Sequence, residues 1–190
     1  ATIEYNGQTK TKEFEVTVLA ETEEAEIEYE EHYKTGFEDA SKSSSGYGNG
    51  SATSNGKSWY FSDALIDGQD NDKKVGSKST RIRAGYIQTE FTVTKLGKIE
   101  FLYARYGSDA GSTMTVAISK DGTTWITLKE VNVTNTELEK LSIIIDYTKQ
   151  ELVDAGITED TGLYIRISYA GSSNPNKRLN VDEVVIYTTK

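Results

Sequence analysis

The sequence contains no cysteine, one histidine and one proline in 190 residues. Without cysteine the chain has no disulfide bond, no thiol nucleophile and no cysteine ligand for zinc. The single histidine, His32, lies in a glutamate-rich segment and away from any serine or aspartate motif, so no catalytic triad is indicated. We therefore predict no catalytic residues and no enzymatic activity.

Long apolar runs and basic clusters are missing as well. No stretch of 18 apolar residues is present, which argues against a membrane helix, and the amino end lacks a signal-peptide pattern. Because Ala1 begins inside a predicted strand, we expect the chain to be an excised part of a longer protein. The formal net charge is −9, which disfavours direct binding of nucleic-acid phosphates.

The negative charge is concentrated near the amino end. Residues 1–35 hold ten acidic and three basic side chains, and seven of the eleven residues in 21–31 are glutamate. Such a run indicates a solvated linker or a charged edge strand, because like charges repel and are not buried unpaired. Ile27, Tyr29 and Tyr33 alternate with the glutamates, which favours the edge strand. An acidic strip that collects cations is the functional alternative.

Short alternating segments dominate the rest of the chain. From residue 37 onward they are separated by Gly, Ser, Asn and Asp about every 8 to 12 residues, which predicts an all-β antiparallel sandwich of the jelly-roll type. Alternation along three segments gives the predicted core. Its members are Ile99, Phe101, Tyr103, Met114, Val116, Ile118, Leu163, Ile165 and Ile167.

Two further elements are predicted at the edges of this pattern. Residues 2–20 form a β-hairpin that turns at Asn6-Gly7, with Phe14, Val16 and Val18 on one face. Residues 148–155 form one short helix.

The helix has recognisable ends. Asp146 or Thr148 caps it, Leu152 and Val153 face inward, and Gly156 supplies a left-handed stop.

Two stretches carry a resemblance to known families. TIEYNGQTKTKEFEVTVLA resembles the last two strands of a bacterial immunoglobulin-like domain. The remainder resembles the jelly-roll accessory modules of secreted bacterial nucleases and other hydrolases, which are akin to carbohydrate-binding and choice-of-anchor modules. The stretches that carry this resemblance are GFEDASK, GKSWYFSDALI, NDKKVGSKSTRIRAGYIQTEF, YARYGSDAGSTMTVAISKDGTTW and LNVDEVVIY. This resemblance implies an immunoglobulin-like tail at residues 1–20, a linker or edge strand at 21–35 and a jelly-roll domain at 36–190.

The resemblance also implies a structural calcium ion near the first and last strands of the jelly roll. Its ligands would be Glu38, Asp39 and Asp182, since calcium takes six to eight oxygens. In the alternative, Asp39 caps a turn and Asp182 pairs with Arg178 or Lys177. A second oxygen-rich loop contains Asp67, Asp70 and Asp72; its spacing is not that of an EF-hand, and we expect it to be solvated.

Twelve tyrosines and two tryptophans point to a sugar-binding surface, since an aromatic ring stacks on the apolar face of a pyranose. We expect Tyr106 and Arg178, at loop edges, to lead the contacts. The exposed aromatic candidates are Trp59, Tyr60, Tyr86, Tyr103, Tyr106 and Tyr169, with Arg105, Asp109, Lys177 and Arg178 as polar partners. In the alternative, Trp59 and Trp125 belong to the core, with Trp125 packed beneath a two-residue turn at Asp121-Gly122.

The predicted function is that of a non-catalytic accessory module of a secreted, extracellular bacterial protein. Its partners would be a glycan or cell-wall polymer and the neighbouring domains of the same parent chain. The alternative is a structural module that orients a neighbouring nuclease or phosphodiesterase domain and has no ligand of its own.

Overall fold

A computed structural model describes residues 2–11 and 27–190. At the amino end, β1 (Thr2–Tyr5) and β2 (Gln8–Thr11) pair antiparallel. Asn6 and Gly7 between them have φ angles of 49° and 71°, the positive values that a tight two-residue turn requires. The predicted hairpin is confirmed to this extent, and Phe14, Val16 and Val18 lie outside the described residues.

Ten strands form one antiparallel sheet. They are β3 (Tyr29–Thr35), β4 (Gly50–Ser54), β5 (Lys57–Asp67), β6 (Ser79–Thr89), β7 (Leu96–Arg105), β8 (Thr113–Ser119), β9 (Ile126–Asn132), β10 (Glu139–Ile144), β11 (Tyr164–Tyr169) and β14 (Leu179–Thr189). Between β11 and β14, β12 (Ser172–Ser173) and β13 (Asn176–Lys177) form a small separate ladder. The predicted all-β antiparallel sandwich is confirmed.

Strand β6 joins the two layers of the sandwich. Its first half pairs with β14 and its second half with β11, while β5 pairs with it along both halves. The front sheet is therefore β4, β5, β6, β11, β8 and β9, and the back sheet is β10, β7, β14 and β3. All nine predicted core residues lie in one buried cluster that draws on both sheets, which confirms them.

The helix α1 (Gln150–Asp154) is shorter than predicted. The N-cap residue is Lys149 and it makes no side-chain cap, so the predicted cap at Asp146 or Thr148 is wrong; Asp146 accepts hydrogen bonds from the backbone N–H and the hydroxyl of Thr148 instead. Gly156 ends the element with a φ of 63°. Leu152 is buried as predicted, but Val153 is 54% exposed, so its predicted inward position is wrong. A single helical turn presents only one side to the sheets.

The described part of the acidic segment is a strand. β3 pairs with β14 alone, with Tyr33 and Thr35 buried and His32 exposed to solvent. The edge strand is thus confirmed for residues 29–35, and the domain limits stay a prediction. The described residues include no helix whose length and hydropathy would suit a segment that crosses a bilayer.

Candidate functional site

The outer face of the front sheet carries a row of large side chains. On β11, Ile165 and Ile167 point into the core, so Arg166 between them points outward. The ladder places Gln88 of β6 opposite Arg166 and also opposite Tyr60 of β5. The pairing register therefore brings side chains from three strands into one line across the sheet.

Two aromatic rings lie against the cation in this row. The guanidinium carbon of Arg166 lies 4.0 Å from the ring centre of Tyr86 and 3.8 Å from that of Trp125. The rings of Tyr86 and Tyr60 are 6.1 Å apart, and Arg166 donates from Nε (3.0 Å) and Nη2 (2.6 Å) to the side-chain oxygen of Gln88. We call these five residues the aromatic platform.

The polar edges of the platform are available to a ligand. Among the described residues, the hydroxyls of Tyr60 and Tyr86, the indole N–H of Trp125 and the amide nitrogen of Gln88 make no hydrogen bond. None of these atoms is buried without a partner, so solvent reaches them. Half-buried rings with wet polar edges are the chemistry that lets a surface stack on a sugar and bind its hydroxyls.

Four of the predicted exposed aromatics lie inside the protein, so their predicted exposure is wrong. Trp59 is 0% exposed, and its indole N–H donates to the hydroxyl of Tyr33 at 3.1 Å. Tyr103, Tyr106 and Tyr169 are also buried. Trp59 lies on the inward side of β5, one position before the outward Tyr60, because successive side chains of a strand alternate between its faces.

The predicted loop-edge group does come together, but its members contact one another. The ring of Tyr106 lies between the guanidinium groups of Arg81 and Arg178, at 4.3 and 4.0 Å. Arg178 binds Asp109 with two hydrogen bonds of 2.6 and 2.9 Å, which raise the pKa of Arg178. Arg105 donates to the backbone carbonyl of Asp109 at 2.9 Å. This is an internal ionic cluster.

Lys177 lies on β13 opposite Ser172, and it has no ion pair within the described part of the chain. A ligand-binding role for Lys177 stays a prediction.

The aspartate-rich loop is only partly solvated. Asp70 is exposed, but the side chain of Asp72 is fully buried, and both its oxygens accept 2.8 Å hydrogen bonds from Arg81. Asn180 of β14 donates to Asp72 at 2.8 Å, and Asp67 pairs with Arg81 at 2.8 Å. The expectation of a solvated loop is wrong for Asp72, because Arg81 supplies a buried partner.

The three predicted calcium ligands do not form one group. Glu38 accepts from the backbone N–H groups of Ser77 and Lys78, and Asp39 accepts from the 54–55 turn. The described residues contain no group of three or more His, Cys, Asp or Glu side chains that could hold a metal ion. The alternative in which Asp39 caps a turn is the one observed.

Asp182 is the one buried side chain of the three. It is fully buried, and burial raises its pKa to about 6, although the backbone N–H groups of Val75 and Glu183 donate to it. It pairs with neither Arg178 nor Lys177, so that alternative is wrong. Calcium binding stays a prediction.

If calcium binds the native chain, it raises the thermal midpoint by mass action, and removal by a chelator lowers it. Thermal unfolding followed by circular dichroism in calcium and in excess chelator measures the difference. We expect Asp182→Asn to abolish it. Equal midpoints of the wild-type chain under the two conditions would contradict the calcium prediction.

Of the five platform residues, Tyr60 and Tyr86 are predicted from the sequence as ligand contacts, and Gln88, Arg166 and Trp125 are not. The alternation that assigned Ile165 and Ile167 to the core already placed Arg166 on the opposite face. The position of Trp125 depends on the connection between β8 and β9, which spans residues 120–125 and is not a two-residue turn. There, Asp121 accepts 2.7 Å hydrogen bonds from two successive backbone N–H groups, and Trp125 follows beside Arg166.

Comparison with known proteins supports the fold. No family model matches the chain, and no curated protein matches it. Its structure is similar to the K2 cleaved adhesin domain of Lys-gingipain, with a TM-score of 0.53, 15% identity and coverage of 81% of this chain and 98% of that chain. The K1 cleaved adhesin domain of Lys-gingipain from Porphyromonas gingivalis gives a TM-score of 0.52 at 13% identity, covering 81% and 96%. The CBM22-1 xylan-binding domain of Xyn10C from Paenibacillus barcinonensis gives 0.52 at 12% identity, covering 83% and 94%.

Proposed function

We propose that this chain is a non-catalytic carbohydrate-binding module that holds a glycan on the outer face of its front sheet. The observation that carries the proposal is the aromatic platform: three half-buried rings grouped with one guanidinium, with their polar edges unpaired within the described residues. Rings of this kind bury the C–H faces of pyranose units, and their polar edges bind hydroxyl groups.

The similar structures support this class of function. One is a xylan-binding domain and two are adhesin domains, although identities of 12–15% establish only a shared fold. A glycan or cell-wall polymer as ligand fits a location outside the cell. The platform contains no carboxylate, whereas a retaining glycosidase needs a pair of them about 5 Å apart. We therefore assign binding without turnover.

Replacing Tyr86 by alanine removes the ring that contacts both Tyr60 and Arg166. We expect at least about tenfold weaker binding, since a central aromatic anchor contributes more than about 1.4 kcal/mol. Affinity electrophoresis through gels that contain xylan, galactan, mannan, β-glucan or peptidoglycan identifies the ligand. Calorimetry with the retained polymer then measures the loss.

Tyr29→Ala is the matched control, because Tyr29 is a half-buried ring at the edge of the back sheet, beside Lys98. This variant should bind as the wild-type chain does. If no polymer retards the wild-type chain, the platform is not a glycan site, and the alternative of a spacing module is favoured. If Tyr86→Ala and Tyr29→Ala weaken binding equally, the glycan lies elsewhere on the surface.

A further inference from the structure

Arg166, like Arg105, has no anionic partner among the described residues, and unlike Arg105 it lies on the outer face of the front sheet. Arg81, Arg83 and Arg178 each form an ion pair with an aspartate. Within the described residues Arg166 forms none, and desolvation by the surrounding rings lowers its pKa. A half-buried cation without a counter-ion is costly to keep, and a bound anion would offset that cost.

The geometry leaves one edge of this guanidinium available. Tyr86 and Trp125 lie against the guanidinium group, and the edge formed by Nε and Nη2 binds the oxygen of Gln88. Nη1 makes no hydrogen bond to any described residue, so the N–H groups that Nη1 and Nη2 direct along the end of the side chain remain available. Those two parallel groups match the two oxygens of a carboxylate.

Gln88 uses its acceptor oxygen in the contact with Arg166 and leaves its donor groups unpaired among the described residues. Because the oxygen of Gln88 faces Arg166, its amide nitrogen is turned outward with its N–H groups unpaired in the described structure. On the other side of the ladder Arg166 pairs with Ala117, whose methyl group offers no oxygen. The centre of the platform is therefore a cluster of donors between aromatic walls.

We propose that Arg166 and Gln88 bind the carboxylate of a uronic acid residue, so that the ligand of this module is a uronate-bearing polysaccharide. This inference rests on the proposed function and narrows it to one class of glycan. A sugar ring that lies across the outer edges of Tyr86 and Trp125 would bring its carboxylate to the open end of the guanidinium, where charge-assisted hydrogen bonds form.

The overall charge favours sparse carboxylates on a neutral polymer. Residues 1–35 contribute −7 of the formal charge of −9, so the rest of the chain is nearly neutral and has no surplus of basic side chains for a polyanion. A densely charged polyanion needs several cations, whereas a single uronate on a neutral backbone presents one charge to one arginine. Glucuronoxylan is a polymer of this kind.

The test compares glucuronoxylan with the same polymer after reduction of its carboxyl groups to primary alcohols. We expect the wild-type chain to prefer the native polymer by about tenfold, as one charge-assisted pair contributes. In Arg166→Gln that preference should fall to about one. Lys129→Gln is the control, since it removes an exposed, unpaired cation from β9 and should keep the preference. A sulfated galactan without carboxyl groups is the third probe.

Each outcome decides one question. Equal binding of the native and reduced polymers by the wild-type chain would uphold glycan binding and overturn the uronate assignment. Binding of neither polymer, nor of any other glycan, would defeat the proposed function itself. A preference that survives in Arg166→Gln would overturn the role of this residue. Tighter binding of the sulfated galactan than of glucuronoxylan would show that the anion is a sulfate ester and overturn the carboxylate.

Discussion

Replacing Asp72 by alanine should lower the free energy of unfolding by about 3–5 kcal/mol, the range for breaking one side of a buried ion pair. The side chain of Arg81 is only 4% exposed, and two of its three carboxylate hydrogen bonds go to Asp72. The variant also removes an acceptor from the amide of Asn180. Asn180 would still donate to Ser79 and Thr80, whereas Arg81 would keep only its bond to Asp67, so most of the loss is the penalty of a buried, poorly compensated guanidinium.

Urea unfolding followed by fluorescence measures this loss. Asp70→Ala is the matched control, since Asp70 lies in the same loop, is exposed and has no partner in the described residues; its effect should stay within about 0.5 kcal/mol. The double variant Asp72→Leu with Arg81→Met removes both charges and should be more stable than Asp72→Ala alone. A loss below about 1 kcal/mol for Asp72→Ala would show that the pair is not desolvated in solution.

The same residues show why the sequence predicts the fold better than the site. Alternation with a period of two decides which face of a strand each residue occupies, and this is enough to place Ile99, Met114 and Ile165 in the core. Alternation does not predict that Asp72 is buried, because its partners Arg81 and Asn180 lie on other elements, the strands β6 and β14. The stretch at residues 67–72, with three aspartates and one glycine, has the composition of a solvated loop whether or not such partners exist.

The aromatic platform depends on contacts over long sequence distances. Tyr86, Trp125 and Arg166 lie on three segments of the chain, and they meet only because β11 pairs with β6 on one side and with β8 on the other. Alternation along the strands predicts that Tyr86 and Arg166 lie on the outer face of the sheet. It predicts no position for Trp125, because Trp125 lies in the connection between two strands. These side chains are in contact because of the order of strands in the sheet, and no local sequence pattern predicts that order.

The two tryptophans should respond in opposite ways to replacement by alanine. Trp59→Ala should cost about 3–5 kcal/mol of unfolding free energy, because it empties a core site. The indole packs edge-on against Phe37 at 5.5 Å and Phe91 at 6.2 Å, and its N–H binds Tyr33. Trp125→Ala loses mainly the contact with Arg166, about 1 kcal/mol or less, and should instead weaken glycan binding.

Because the chain has only two tryptophans, fluorescence separates them. Emission from Trp125→Ala comes from Trp59 alone and should be blue-shifted and resistant to acrylamide quenching, as expected for an indole without solvent contact. Emission from Trp59→Phe, which keeps a ring in the core, comes from Trp125 and should be red-shifted, readily quenched and protected by a bound glycan. Protection of Trp59 instead of Trp125 by the ligand would return the binding site to the position that the sequence suggested and remove the aromatic platform from the function.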